Sequence, residues 1–408
     1  MALDRRTFLR RSCLAATAMA AGPKWLAAGL FDRRASSDTD TILVVVQMAG
    51  GNDPLNTLVP HADPAYRAAR PRIGLTAAQT LPVDSRTGLH PNLVRLHRSL
   101  GSGNLAIVQG VGYPAPDLSH FNSMEYWHRA SLLPKRTGWL GDTLDQLYGG
   151  ERTPLLHAVA VGGDMPPSFE STEVASTVLF DADSFDFPPN LLYPDDSAVE
   201  RSAFSASLTP VGSAAQDFVA GAGEVFLRDS AAIRGAATSY REAVPYPTSD
   251  LAQALKLVAA VISANVGPRI FWVTQGGYDT HDSQRGPEGQ DGLLADLDAS
   301  VGTFLEDLRG HTQDRRVLIL TWSEFGRRVE ENGSSGTDHG AASLLFVLGS
   351  RVRGGLFGTP LSLTDLDPDG NLQFTTDFRS VYASILRNWI GADPVPILKG
   401  NYPTLAFL

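Results

Sequence analysis

The stretch "TILVVVQMAGGNDPLN" (Thr41–Asn56) holds a continuous apolar run, Ile42 to Val46, and then turns through two glycines, an asparagine and an aspartate. A half-buried strand alternates apolar and polar residues, so a run without alternation predicts a strand covered on both faces, as in a parallel sheet. The same pattern recurs in "NLAIVQGVG" (104–112), "HAVAVGGD" (157–164), "RIFWVTQGGYDTH" (269–281) and "RVLILTWSEFGRR" (316–328), and "SLLFVLG" (343–349) closes the series. Helical candidates separate these runs: Pro91–Leu100, Ser119–Ala130, roughly Ala214–Ala243, Asp250–Ala264, Leu293–Leu308 and Asp377–Ile390. In the last of these, Phe378, Val381, Ile385 and Trp389 share one helical face. Strands alternating with helices imply an α/β fold, a mostly parallel central sheet with helices on both faces, in one domain over residues 36–408. The Pro- and Ser-rich segment 165–212 reads as a long cap or excursion over one end of that sheet.

With 408 residues, 43% hydrophobic and 19% charged, the chain is long enough for a full hydrophobic core. A formal net charge of -10 leaves no basic stripe for phosphates, which argues against a nucleic-acid partner. The start, "DRRTFLRRSCLAATAMAA", pairs Arg5 and Arg6 ahead of a short Ala-rich apolar run and resembles a twin-arginine export signal within residues 1–35. That run is too short to span a bilayer. The expected setting is periplasmic or secreted, with the twin-arginine translocase as a partner in export and no membrane span afterwards. Cys13 is the only cysteine and falls inside this leader, so thiol catalysis and disulfides are excluded from the exported protein.

Ligand-type side chains cluster where the apolar runs end. In an open parallel sheet, ligands bind beyond the carboxyl ends of the strands. Asp53 follows the first run, Asp279 and His281 follow "RIFWVT", Glu324 follows "RVLILTW", and Asp338 and His339 stand in "SSGTDHG" before the next run. Brought to one edge, these carboxylates and imidazoles are the usual donors for one or two divalent cations, with Zn, Mn, Ca and Mg all open at this point. Each also has an ordinary reading as a turn former or first-turn charge. The helix opening "DLSHFNSMEYWHRA" adds Ser119, which is an N-cap by position and a nucleophile by chemistry if cations favour its alkoxide. Ser123 is the other candidate nucleophile, and His120 or Asn122 could position substrate. "GGND" and "GGYD" lack the spacing of a dinucleotide-binding glycine turn.

The leader, "VVVQMAGGNDPLNTLVP", "SHFNSMEYWHRA", "GGYDTHDSQ" and "SEFGRRVEENGSSGTDHG", in this order, resemble a bacterial family known as domain of unknown function 1501, across nearly all of the chain after the leader. That family in turn resembles the alkaline phosphatase and sulfatase superfamily. The resemblance implies metal roles for Asp53, for the Asp279/His281 pair and for His339. It puts Glu324 where the superfamily has an Asp-His pair, with Phe325 in place of the histidine. It implies an exported metal-dependent hydrolase of phosphate or sulfate esters, small or polymeric, in which Ser119, Ser123 or water attacks and the planar fork of Arg327 binds a substrate oxygen. A non-catalytic exported protein binding a glycan, surface polymer or partner protein is the alternative.

Overall fold

The computed structural model describes residues 41–149, 157–174, 176–181, 197–207 and 214–408. The expected export signal within residues 1–35 therefore lies outside the described residues. The first apolar run forms β1 (Ile42–Met48), buried throughout. It is followed by β2 (Leu105–Gly112), β3 (Ala158–Val161), β4 (Thr177–Leu179), β5 (Ile270–Gln275), β6 (Val317–Trp322), β7 (Ser343–Leu348), β8 (Gly355–Phe357) and β9 (Thr376–Asp377). These make one nine-stranded sheet in the order β8-β2-β7-β6-β1-β5-β3-β4, with β9 also paired to β2.

All pairings are parallel except those of β7, which runs antiparallel to both β2 and β6. The reversal matters for the site. An antiparallel return needs a loop and not a crossover helix, and β6 passes to β7 through residues 323–342 with only a two-residue ribbon, Gly326–Arg327 against His339–Gly340. Because β7 runs backwards, residues just before it occupy the same sheet edge as residues just after β6.

Seven principal helices cover the sheet: α1 (Val94–Gly101), α2 (His120–Arg129), α3 (Trp139–Tyr148), α4 (Ala214–Ser239), α5 (Asp250–Ser263), α6 (Gln290–Gly310) and α7 (Phe378–Ile385). Alternate residues of β1 divide between two cores. Ile42, Val44, Val46 and Met48 pack with α1, α4, α5 and α6. Leu43 and Val45 pack with α2, α3 and α7. Helices on both faces explain why β1 is apolar without alternation. Every expected helix is present within a few residues of its expected bounds; α3 is additional, as is a helix over Ser197–Ser207 within the expected excursion. From the expected excursion 165–212, Thr177–Leu179 pairs with β3 as an edge strand of the main sheet. Residues 175, 182–196 and 208–212 of that segment are outside the described residues. No described helix is long and apolar enough to cross a membrane.

Candidate metal site

Three loops leave the carboxyl edge side by side, because β6, β1 and β5 are neighbours in the sheet. Gly50 and Gly51 take φ of +121° and +83°. A Cβ at Gly50 would overlap the backbone nitrogen of Asp279, and one at Gly51 would overlap the Phe325 ring. The glycines of "GGND" thus permit the β1 exit to lie directly on the β5 and β6 exits. Tyr278, fully buried, fastens the β5 exit: its hydroxyl donates to Gln275 Oε1 at 2.8 Å and its N–H to Ala49 O at 3.1 Å.

Arg327 rivets the loops from beneath. It is buried, and it donates to the carbonyls of Gly51 at 2.7 Å, Thr337 at 2.9 Å and Tyr278 at 2.8 Å, as well as to that of Gly50. It also donates to Asp279 Oδ1 at 2.8 Å. Burial would raise the Asp279 pKa, but the hydrogen bond and positive charge of Arg327 outweigh it and hold the carboxyl down at about 2.

Around Asp279 Oδ1 stand three imidazoles, each with its Nδ1 on an oxygen that can only accept. His120 Nδ1 is 2.7 Å from Glu324 Oε1, His281 Nδ1 is 3.1 Å from Asp338 Oδ1, and His339 Nδ1 is 2.8 Å from Leu118 O. Each Nδ1 therefore carries the proton, and in the neutral ring each Nε2 presents a lone pair. All three lone pairs converge on Asp279 Oδ1, at 3.5 Å from His120, 3.1 Å from His281 and 3.1 Å from His339. The Nε2 atoms of His281 and His339 are 3.0 Å apart. Four acceptors facing one another repel unless a proton or cation sits between them. Nε2 of His120 is buried with no hydrogen-bond partner, although a carboxylate lies 3.5 Å away.

Three imidazole nitrogens and a carboxylate oxygen, each imidazole oriented by an oxygen behind it, fit a divalent cation of the zinc type. Among the described residues one group of three or more such side chains meets within 4.8 Å, namely His120, Asp279 and His339. His281 joins it through His339 and Asp279. Phe325 floors the cluster, its ring centroid 4.8 Å from that of His120 and 4.6 Å from that of His339. The Glu324 hydrogen bond raises the His120 pKa, against the opposing effect of burial.

The structure assigns several expected residues differently. Asp53 is not at the cluster. Its buried carboxylate pairs with both terminal nitrogens of Arg70, accepts from Leu55 N at 3.0 Å as a helix cap, and accepts from Gln284 Nε2 at 2.6 Å. A carboxylate surrounded by donors in this way has no lone pair left for a metal. Glu324 and Asp338 stand behind histidines and not at the convergence point. His120, expected to handle substrate, is instead in the cluster. Arg327, expected to grip a substrate oxygen, is committed to four carbonyls and Asp279. Ser123 is buried, accepting from Tyr113 Oη at 2.7 Å and donating to the Glu324 carbonyl, and so is closed to substrate. Ser119 holds the N-cap position without a capping bond. Asp117 takes over local order, accepting from Ser119 N and Asn122 Nδ2, each at 2.8 Å. Ser119 thus keeps a half-exposed, uncommitted hydroxyl between His120 and the Leu118 carbonyl that His339 uses. Arg70, Gln284, Asp117 and the Leu118 carbonyl were not singled out from the sequence. Only Asp117, two residues before a helix-start serine, had a local signal.

Residues 213–389 match the family model described as Protein of unknown function (DUF1501). The match agrees with the resemblance drawn from the motifs. No curated protein matches the chain. Among solved structures, the chain is similar to an alkaline phosphatase superfamily protein from Vibrio parahaemolyticus, at 9% identity over 91% of this chain and 74% of that one, with a TM-score of 0.42. It is similar to a sulfatase from Pseudoalteromonas sp. at 12% identity over 87% and 68%, with a TM-score of 0.38. It is also similar to alkaline phosphatase from the Antarctic bacterium TAB5 at 10% identity over 78% and 95%, with a TM-score of 0.31.

Proposed function

We propose that the protein is an exported, metal-dependent hydrolase of phosphate or sulfate esters with one cation site, built from Nε2 of His120, His281 and His339 and Oδ1 of Asp279. The observation that carries this reading is the convergence of three lone-pair nitrogens, none of them a proton donor, on a carboxylate oxygen that Arg327 holds from its other side. A cation there would polarise an ester oxygen and stabilise developing negative charge. The nitrogen-rich donor set suits zinc or manganese better than calcium or magnesium, which prefer all-oxygen shells. Commitment of Asp53 to Arg70 argues for one ion and not two.

Ser119 is the nucleophile in this reading. Its hydroxyl is uncommitted, it adjoins a ligand in sequence, and it sits at the N-terminus of α2, where the helix dipole favours an alkoxide. Arg327 acts indirectly, keeping Asp279 ionised and the three loops in register. Glu324, Asp338 and the Leu118 carbonyl hold the imidazoles in the metal-binding tautomer. The alternative, a metal-holding protein without catalysis, draws support from the absence of a substrate-facing guanidinium at Arg327.

The test is elemental analysis of protein purified without added metal, followed by a panel of nitrophenyl phosphate and sulfate esters with and without chelator. The expected result is about one equivalent of metal and saturable hydrolysis lost on chelation. Metal content unchanged in both His281→Ala and His339→Ala would remove the site, and bound metal without turnover of any ester would leave the binding protein.

A further inference from the structure

One opening breaks the covered sheet beside the candidate cluster. Within β5 every residue is buried except Thr274, near the carboxyl end. Thr274 lies opposite Gln47 of β1, which lies opposite Trp322 of β6, so the three form a row across adjacent strands on the α2 face. The Thr274 hydroxyl accepts from Trp272 Nε1 at 3.2 Å and is 3.4 Å from Gln47 Oε1. The amide nitrogen of Gln47 finds only the sulfur of Met124, at 3.5 Å. A thioether is a weak acceptor, so this nearly buried amide retains donor capacity. Met124 is four residues after His120 and on the same face of α2, about 6 Å further along the helix axis. The row thus continues from His120 along α2, and Gln47, Thr274, Trp322 and Met124, which form it among the described residues, are all uncharged.

Charge around the cluster is also limited. Asp279 and Asp338 have side chains 47% and 56% exposed, so negative charge faces any approaching anion. Arg327 is the guanidinium bonded to the cluster, and its donors are committed inwards. Arg70 is buried against Asp53. Arg328 lies against the turn at Gly370 and is offset by Asp338 and Asp367. The exposed Asp164 follows β3, the neighbour of β5. Among the described residues, one divalent cation with Arg327 would balance Asp279, Glu324 and Asp338, leaving no surplus positive charge for a dianion.

Resting on the hydrolase reading above, we propose that the esters this site accepts carry a single negative charge, as a phosphodiester or a sulfate ester does. Their uncharged organic group lies against Gln47, Thr274 and Met124. A phosphate monoester, doubly ionised above its second pKa of roughly 6, is disfavoured.

Calorimetric titration of zinc-loaded protein at about pH 8, where that second ionisation is complete, with phenyl sulfate, diphenyl phosphate and phenyl phosphate tests this directly. The matching nitrophenyl esters supply turnover. Both monoanions, or one of them, should bind at least about tenfold more tightly than phenyl phosphate; which one prevails identifies the sulfur or the phosphorus ester. Thr274→Lys, at an exposed position, should keep its zinc and shift the preference towards the dianion by about tenfold. Phenyl phosphate binding as tightly as the monoanions overturns the charge assignment while the hydrolase stands. An unchanged preference in zinc-bearing Thr274→Lys overturns the crevice. If no ester of either charge binds or turns over, the hydrolase reading fails and this inference with it.

Discussion

Asp53 and Asp279 leave neighbouring strands at the same edge, each after a pair of glycines, yet they end in opposite environments. Asp53 is fully buried and surrounded by donors from Arg70, Gln284 and its own helix. Asp279 is half exposed and receives one guanidinium bond, with imidazole lone pairs on its other side. A carboxylate ringed by N–H groups is a rivet, and one ringed by lone pairs asks for a cation. Strand position makes both of them candidates, and the protons around them decide between the roles.

The largest effect should therefore come from the residue that does not bind metal. Asp53→Ala leaves Arg70 charged and buried without its partner, which costs about 3–5 kcal/mol. Urea unfolding should show the loss, while folded Asp53→Ala protein at low temperature keeps its full metal content. Loss of metal with little loss of stability would return Asp53 to the ligand set. His339→Ala should do the reverse, lowering zinc affinity by more than about a hundredfold and moving the apo-protein midpoint little. Chelation of the native protein should lower stability by about 3 kcal/mol relative to zinc at a hundred times its Kd.

Asp338→Asn refines the comparison at smaller scale. It removes the charge behind His281, so zinc should bind about 10–100-fold more weakly, as for other groups that orient a ligand histidine. An unchanged affinity would place His281 outside the coordination shell and leave the trio of His120, Asp279 and His339.

The strands were legible because parallel-sheet burial writes itself into uninterrupted apolar runs such as Ile42–Val46. Helix α3 was not, since "GWLGDTLDQLY" places Gly138 and Gly141 in a helical pattern. The structure needs both glycines, as a Cβ at either would overlap the backbone of 167–171. Strand β4, only three residues long, is too short for a periodic signal. At the site, His281, His339 and Asp279 were legible as a group, because strand-end position and residue chemistry agree. The division between Asp53 and Asp279 was not. It depends on Arg70, 17 residues from Asp53, and on Gln284, 231 residues away, and neither has a local motif. Ser119 and Ser123 are one helical turn apart and differ in two partners, the Tyr113 hydroxyl and the Glu324 carbonyl, which fix Ser123 in the core.

The smallest expected effect is a pH dependence at Asp279 in metal-free protein. Its carboxyl is held at about 2 in the fold, against about 3.9 in an unfolded chain. A depressed carboxylate contributes stability that is fully present above the unfolded value and is lost as pH falls through the folded one. Comparison of metal-free native protein with Asp279→Asn should thus show the native protein ahead above about pH 4, with the gap closing towards about pH 2. With the side chain 47% exposed, solvent screening holds the difference below about 1 kcal/mol. A gap of constant size across that range would mean that Arg327 holds the loops through its carbonyl bonds alone, and that the Asp279 charge serves the cation and not the fold.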